Sequence, residues 1–227
     1  MALIKHASGI VLLGAAAALV LAPAWGRGQE PAKPKKVEIR EYKGEKLDPI
    51  DNFYENSIKG LQHVDIKAYR LKVGGLVAKP LSLSYGEVLA RPAEAKVTII
   101  HCVEGWDVKV LWEGVPLAAL LDEAAAKPAA NTVIFKSADG YSTSLPLAYI
   151  REKDILLAFR MNGLTLPEAR GFPFQVVAED KWGYKWAKWV TAIELSDNPN
   201  FKGYWESRGY NNNGDLSGPM FENERRR

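Results

Sequence analysis

Val97-Thr98-Ile99-Ile100-His101-Cys102-Val103-Glu104-Gly105-Trp106-Asp107 is the stretch on which the reading of this chain turns. Its first four residues form a short β-branched run, which predicts a buried strand. The run delivers the chain's single cysteine into a polar loop, with Glu104 two residues on and Trp106 four residues on. A thiol held at the end of a core strand suits a metal ligand or a nucleophile. It equally suits plain packing, because free cysteine is among the most buried residue types.

Working toward the N-terminus, Lys5-His6 and the apolar run from Gly9 to Leu21 precede Ala22-Pro23-Ala24. This predicts a secretory leader over residues 1–24, or an uncleaved anchor from residues 9–24. Export, with a periplasmic location, is the expectation. Residues 25–36 are charged and proline-bearing and read as a solvated linker. A single globular domain over 37–210 and a tail over 211–227 complete the organisation. Removing the leader leaves roughly 200 residues, enough for one domain with a sizeable core. The composition is 47% hydrophobic and 25% charged, with a formal net charge of +3. That charge is too small to argue for a nucleic-acid partner. One cysteine in an oxidising compartment permits no internal disulfide, so its sulfur is shielded, paired with another chain or occupied by a ligand.

Asp51-Asn52-Phe53-Tyr54-Glu55 is a loop mixing aromatic and hydrogen-bonding groups; its bland reading is a surface loop pinned by the two rings. Ala68–Val73 alternates as a strand ended by Gly74-Gly75. Ser84 and Glu87 are spaced as a capping box for a short helix. After the cysteine loop the chain reads as polar loop and Trp-Glu-Gly-Val-Pro turn. Leu117, Leu120, Leu121 and Ala124 then give one apolar helix face, a core stripe. Thr132–Phe135, Ile155–Met161, Phe174–Val177 and Trp189–Leu195 read as strands, with Asn162-Gly163 as a hairpin turn. Many short strands with few short helices predict a single α+β domain rich in β.

Asp180–Trp189 holds three lysines, three tryptophans and a tyrosine in ten positions. As a loop or extended strand it would put Lys185 and Trp189 on one side. Ammonium groups backed by indoles suit an anionic, flat, heteroaromatic ligand. The competing reading is a solvated face with tryptophans in the core. A zinc site is disfavoured: beyond the leader there are one cysteine and two histidines, His63 and His101, without ligand spacing. A Cys-His hydrolase is disfavoured too, since neighbours on a strand point to opposite faces.

Taken together, these stretches resemble the sulfite oxidase-like molybdopterin oxidoreductase domain. The chain looks most like the branch containing the catalytic subunit of periplasmic methionine-sulfoxide reductase. The matching stretches are Asp51–Glu55, Cys102–Trp106, Trp112–Leu117, Gly140-Tyr141, Asn162-Gly163, Gly171-Phe172-Pro173 and Lys181–Trp189, in family order. The resemblance implies a mixed, β-rich fold holding Mo-molybdopterin, with Cys102 as the protein ligand to the metal. It implies Asn52, Tyr54 and Glu55 along the pterin, and Ser137 near the cofactor where a threonine is usual. Gly183, Lys185 and Lys188 would hold the pterin and its phosphate, and Glu104 would lie beside the metal and tune its oxygen ligand.

This chain departs from the pattern at Gln175, where an arginine is common, and at Arg170, where an asparagine is common. The phosphate contact would then move to Arg170. No counterpart of the arginine cluster that sulfite oxidases use is present, and the leader has no twin arginines. The expected activity is oxygen-atom and two-electron transfer at a small S- or N-oxide or its reduced form. With no haem or iron–sulfur motif, a redox partner is expected, either a membrane cytochrome or a soluble carrier. The alternative is a non-catalytic cofactor-binding or assembly domain of the same fold.

Overall fold

A computed structural model describes residues 37–52 and 54–223. The leader and linker read from the sequence lie outside the described residues, as does Phe53.

In chain order the elements are β1 (Glu41–Tyr42), β2 (Glu45–Lys46), β3 (Leu71–Gly75), β4 (Leu81–Leu83), α1 (Tyr85–Leu89) and β5 (Glu94–His101). Then follow β6 (Asp107–Pro116), α2 (Leu117–Glu123), β7 (Thr132–Ser137), β8 (Ser142–Pro146) and α3 (Leu147–Glu152). The last are β9 (Leu156–Met161), β10 (Leu164–Thr165), β11 (Gln175–Val177) and β12 (Val190–Ser196). One sheet runs β10-β9-β6-β5, with β11 also paired to β9, and is antiparallel throughout. The other runs β4-β3-β12-β7-β8 and contains one parallel pair, β3 with β12. The β-rich α+β architecture agrees with the sequence reading.

Side chains from both sheets and from α2 and α3 form one core: Val73 from β3, Val110 and Trp112 from β6, Leu120 and Leu121 from α2, Phe135 from β7, Ile150 from α3 and Ile193 from β12. The i, i+3, i+4, i+7 spacing of α2 is why it packs here: Leu117, Leu120, Leu121 and Ala124 are all fully buried. The capping box on α1 forms as read. Ser84 Oγ accepts from the Glu87 backbone N–H, and the Glu87 carboxylate accepts from the Ser84 backbone N–H. Asn162 and Gly163, at φ 47° and 76°, join β9 to β10 as a two-residue hairpin.

One stretch corrects the sequence reading. Residues 107–116, read as loop and turn, form a ten-residue strand, β6, in the interior of its sheet. Gly114 looked like punctuation but serves close approach: a Cβ there would lie 2.4 Å from the Leu157 carbonyl oxygen on β9. The register shifts at this point, between Glu113 and Gly114. The extra residue is Phe159 on β9, and Gly114 lies opposite this bulge, where its bare backbone lets the two strands pass.

Candidate active site

β5 and β6 form an antiparallel hairpin whose last pair is His101 opposite Asp107. Cys102–Trp106 is the loop at its tip. It is pinned by Cys102 N–H donating to the Trp106 carbonyl (2.9 Å) and Gly105 N–H donating to the Cys102 carbonyl (3.0 Å). The first bond requires the chain to swing back immediately after the Cys102–Gly105 turn, which Gly105 permits at φ 88°. Cys102 is a free thiol, buried with 7% exposure. His101 does not reach its sulfur; the ring Nδ1 lies 2.7 Å from Asp107 Oδ1. His63 is likewise engaged elsewhere, with Glu168 at 2.9 Å. No Cys-His nucleophile pair is assembled among the described residues.

The lysine- and tryptophan-rich segment runs directly beside this hairpin tip. Trp182 makes an isolated parallel bridge to His101. A Cβ added at Gly183 would sit 3.2 Å from the His101 carbonyl oxygen and 3.6 Å from Cys102 Cα. Between the two regions lies a cavity of about 580 Å³. Of the residues singled out from the sequence, Tyr54, Glu55, Cys102, Glu104, Arg170, Gln175, Gly183 and Lys188 line it.

Three do not. Asn52 sits in an exposed 3-10 turn, Ile50–Asn52, outside the lining. Ser137 is buried at the end of β7, its hydroxyl without a hydrogen-bond partner, close in the chain to the lining residues Asp139 and Tyr141. Lys185 is the clearest correction. Residues 183–185 form a 3-10 turn, so the two-residue alternation expected of an extended segment fails. The Lys185 ammonium is fully buried against Glu206 (2.7 Å) and the Asn212 carbonyl (2.9 Å), away from the cavity lining. Lys181 is also committed, to Asp215. Of the three lysines, only Lys188 reaches the cavity.

Lys188 Nζ lies 3.3 Å from Glu55 Oε1 and 4.3 Å from the centroid of the Trp189 ring. Burial lowers its pKa, opposed by the Glu55 carboxylate. Arg170 donates from Nε to the Ile50 carbonyl (3.2 Å) and from Nη1 to the Tyr54 carbonyl (3.3 Å), tying the 50–54 loop to the cavity. Burial lowers its pKa as well. Burial pushes the Cys102 thiol up, and the nearby Glu104 charge adds to this. The protein alone therefore favours a neutral thiol, and a bound cation would reverse that preference.

Several lining residues were not singled out from the sequence. Asn56 donates from Nδ2 to Glu104 Oε2 at 3.0 Å and lies 3.6 Å from Cys102 Sγ. Asp139, read only as turn chemistry, lines the cavity while its Oδ1 accepts the Tyr141 backbone N–H. Tyr184, Trp205 and Tyr210 add an aromatic wall. The last two come from the C-terminal segment and have no local sequence signal beyond being aromatic.

The donor set fits a molybdopterin. Among the described residues no three His, Cys, Asp or Glu side chains are grouped to hold a metal, so a metal on Cys102 would take its other ligands from a cofactor. Indoles, two cations and the bare backbone of Gly183 suit a flat, anionic heterocycle.

A family model described as "Oxidoreductase molybdopterin binding domain" matches residues 58–205. The chain belongs to that family. It is thus a molybdenum cofactor-dependent oxidoreductase, and the sulfite oxidase-like resemblance is borne out. It is 36% identical over 152 residues to "Uncharacterized oxidoreductase YuiH" of Bacillus subtilis, covering 66% of this chain and 76% of the relative. It is 37% identical over 163 residues to "Putative protein-methionine-sulfoxide reductase subunit YedZ1" of Azospira oryzae, covering 72% and 61%. Against "Protein-methionine-sulfoxide reductase catalytic subunit MsrP" of Gluconobacter oxydans it is 33% identical, covering 57% and 47%. The chain therefore spans only about half of this last relative. Among solved structures it is similar to sulfane dehydrogenase SoxCD from Paracoccus pantotrophus, with TM-score 0.59 and 28% identity, covering 61% of this chain and 41% of that one.

Proposed function

We propose that this chain is an exported oxygen-atom-transfer enzyme that reduces a small sulfoxide or N-oxide, or oxidises its reduced form. Electrons would be exchanged with a membrane cytochrome or a soluble carrier. The observation that carries the reading is the shared cavity of Cys102 and the Gly183–Trp189 segment. The names of the relatives, two of them methionine-sulfoxide reductase subunits, support sulfur as the reacting centre.

When bound, the molybdenum cofactor supplies the two-electron, oxygen-transfer chemistry. The chain's own residues hold and shape the place where this happens. From the cavity lining, Cys102 Sγ would hold the metal, and Lys188 and Arg170 would bring positive charge to an anionic cofactor. Glu104 Oε2, held by Asn56 Nδ2 (3.0 Å) and Trp106 Nε1 (3.4 Å), is placed to take up or deliver a proton. For a sulfoxide the balance is one sulfoxide, two electrons and two protons giving one thioether and one water. The aromatic wall limits water and offers the polarizable surface that a thioether prefers.

The test is protein produced with molybdate, assayed for metal and for oxidation of reduced viologen by methionine sulfoxide, dimethyl sulfoxide and trimethylamine N-oxide. Turnover that vanishes in Cys102→Ala supports the reading. Molybdenum-loaded protein that turns over none of these, in either direction, overturns it and leaves a cofactor-binding domain.

A further inference from the structure

We propose that Asn56 is a positioning residue for the metal centre, its side-chain amide holding Glu104 and the Cys102 sulfur in one fixed arrangement. The inference rests on the cofactor family and not on the identity of the substrate.

Asn56 lies on the exposed lip of the cavity, in the segment after Tyr54, and its Nδ2 reaches inward. That nitrogen is 3.0 Å from Glu104 Oε2 and 3.6 Å from Cys102 Sγ, the latter within reach of a large sulfur acceptor. An amide NH2 has two hydrogens, so it satisfies both acceptors together. Trp106 Nε1 approaches the same Glu104 oxygen at 3.4 Å, so two donors converge on it. The carboxylate is consequently held beside the sulfur and not left to swing into solvent. Sequence separation is 46 residues to Cys102 and 48 to Glu104, so the contact exists only in the folded chain.

An N–H aimed at a metal-bound thiolate withdraws electron density from sulfur and stabilises the more reduced metal. Hydrogen bonds to ligating sulfurs are an established lever on redox potential. Removing the Asn56 donor therefore lowers the potential of the centre and frees Glu104. Outer groups of this kind typically change metal affinity or activity about 10- to 100-fold when lost.

The experiment compares holoenzyme with Asn56→Leu and Asn56→Gln. Expected for N56L are retained molybdenum, an altered Mo(V) paramagnetic resonance spectrum, a lower midpoint potential and a kcat reduced on the order of 10-fold or more. N56Q restores the amide and moves all three readings back toward wild type. A second arm needs no metal: in the cofactor-free protein, the Asn56 side-chain amide resonances should shift in both Glu104→Gln and Cys102→Ser. Should N56L fail to load molybdenum, this second arm and the N56Q holoenzyme decide. An N56L spectrum and potential superimposable on wild type, or amide resonances unmoved by both substitutions, overturns the proposal.

Discussion

Lys185 and Glu206 face each other 2.7 Å apart with both side chains essentially inaccessible to solvent. The pair fastens the C-terminal segment to the 3-10 turn beside the cavity, and Thr143 Oγ1 also donates to Glu206. It explains why a lysine in a cofactor-like motif is a structural residue here. Trp205 and Tyr210 flank Glu206 and reach the cavity because that pair holds the segment down.

Glu206→Ala should destabilise the fold by about 3–5 kcal/mol, because it leaves the Lys185 ammonium buried and unpaired. The double substitution Lys185→Met with Glu206→Leu should recover part of this loss, since no buried charge is left unpaired, while the Thr143 hydroxyl and the Asn212 carbonyl still lose their partners. Urea unfolding of the three proteins checks both statements.

Gly114→Ala should cost about 1–3 kcal/mol. The added methyl would meet the Leu157 carbonyl oxygen at 2.4 Å and Ala158 Cα at 2.6 Å, backbone atoms that cannot step aside. Gly86→Ala meets nothing within 4 Å and serves as the control. Thermal unfolding of the two variants should separate them clearly.

Lys188→Met should weaken cofactor retention while leaving the fold intact. A charge-assisted hydrogen bond is worth about 1.5–3 kcal/mol, which corresponds to roughly 10- to 100-fold in affinity. Molybdenum and pterin content after gel filtration should fall, with an unchanged melting temperature for the cofactor-free protein.

Arg91 grips Glu123 with two hydrogen bonds, from Nε at 2.8 Å and Nη2 at 2.6 Å, linking the end of α1 to the end of α2. The guanidinium holds the Glu123 carboxyl below its usual 4.5. A carboxylate with a depressed folded pKa adds stability above its unfolded value and loses it as pH falls through the folded one. The difference in urea midpoint between wild type and Arg91→Ala should therefore be small and constant near neutral pH. It should close as pH drops below 4.5.

Cys102 was legible because a β-branched run and a glycine-closed turn bracket it, and both are local signals. The helix carrying Leu117, Leu120 and Leu121, the Ser84–Glu87 cap and the Asn162-Gly163 hairpin were legible for the same reason. The strand 107–116 was not, because Gly114 and Pro116 look identical whether they end a strand or let one pass close to its neighbour. Strand β8 and helix α3 went unread, hidden in Ser/Thr-rich and proline-bounded sequence.

By itself, the sequence determined that a single thiol sits at the end of a strand, that the chain is rich in short strands, and that one segment concentrates lysine and tryptophan; the strand itself, β5, is a half-exposed sheet edge with only Ile100 buried, and not the buried strand its β-branched run predicts. Each of these depends on residues within a few positions of one another, where chain geometry alone sets the outcome. Only the tertiary structure decided which lysine faces the cavity, that Asn56 meets both Cys102 and Glu104, and that Glu206 neutralises Lys185. Those pairings join residues far apart in the chain. Which partner a charge or amide finds there depends on how the two sheets close over a common core.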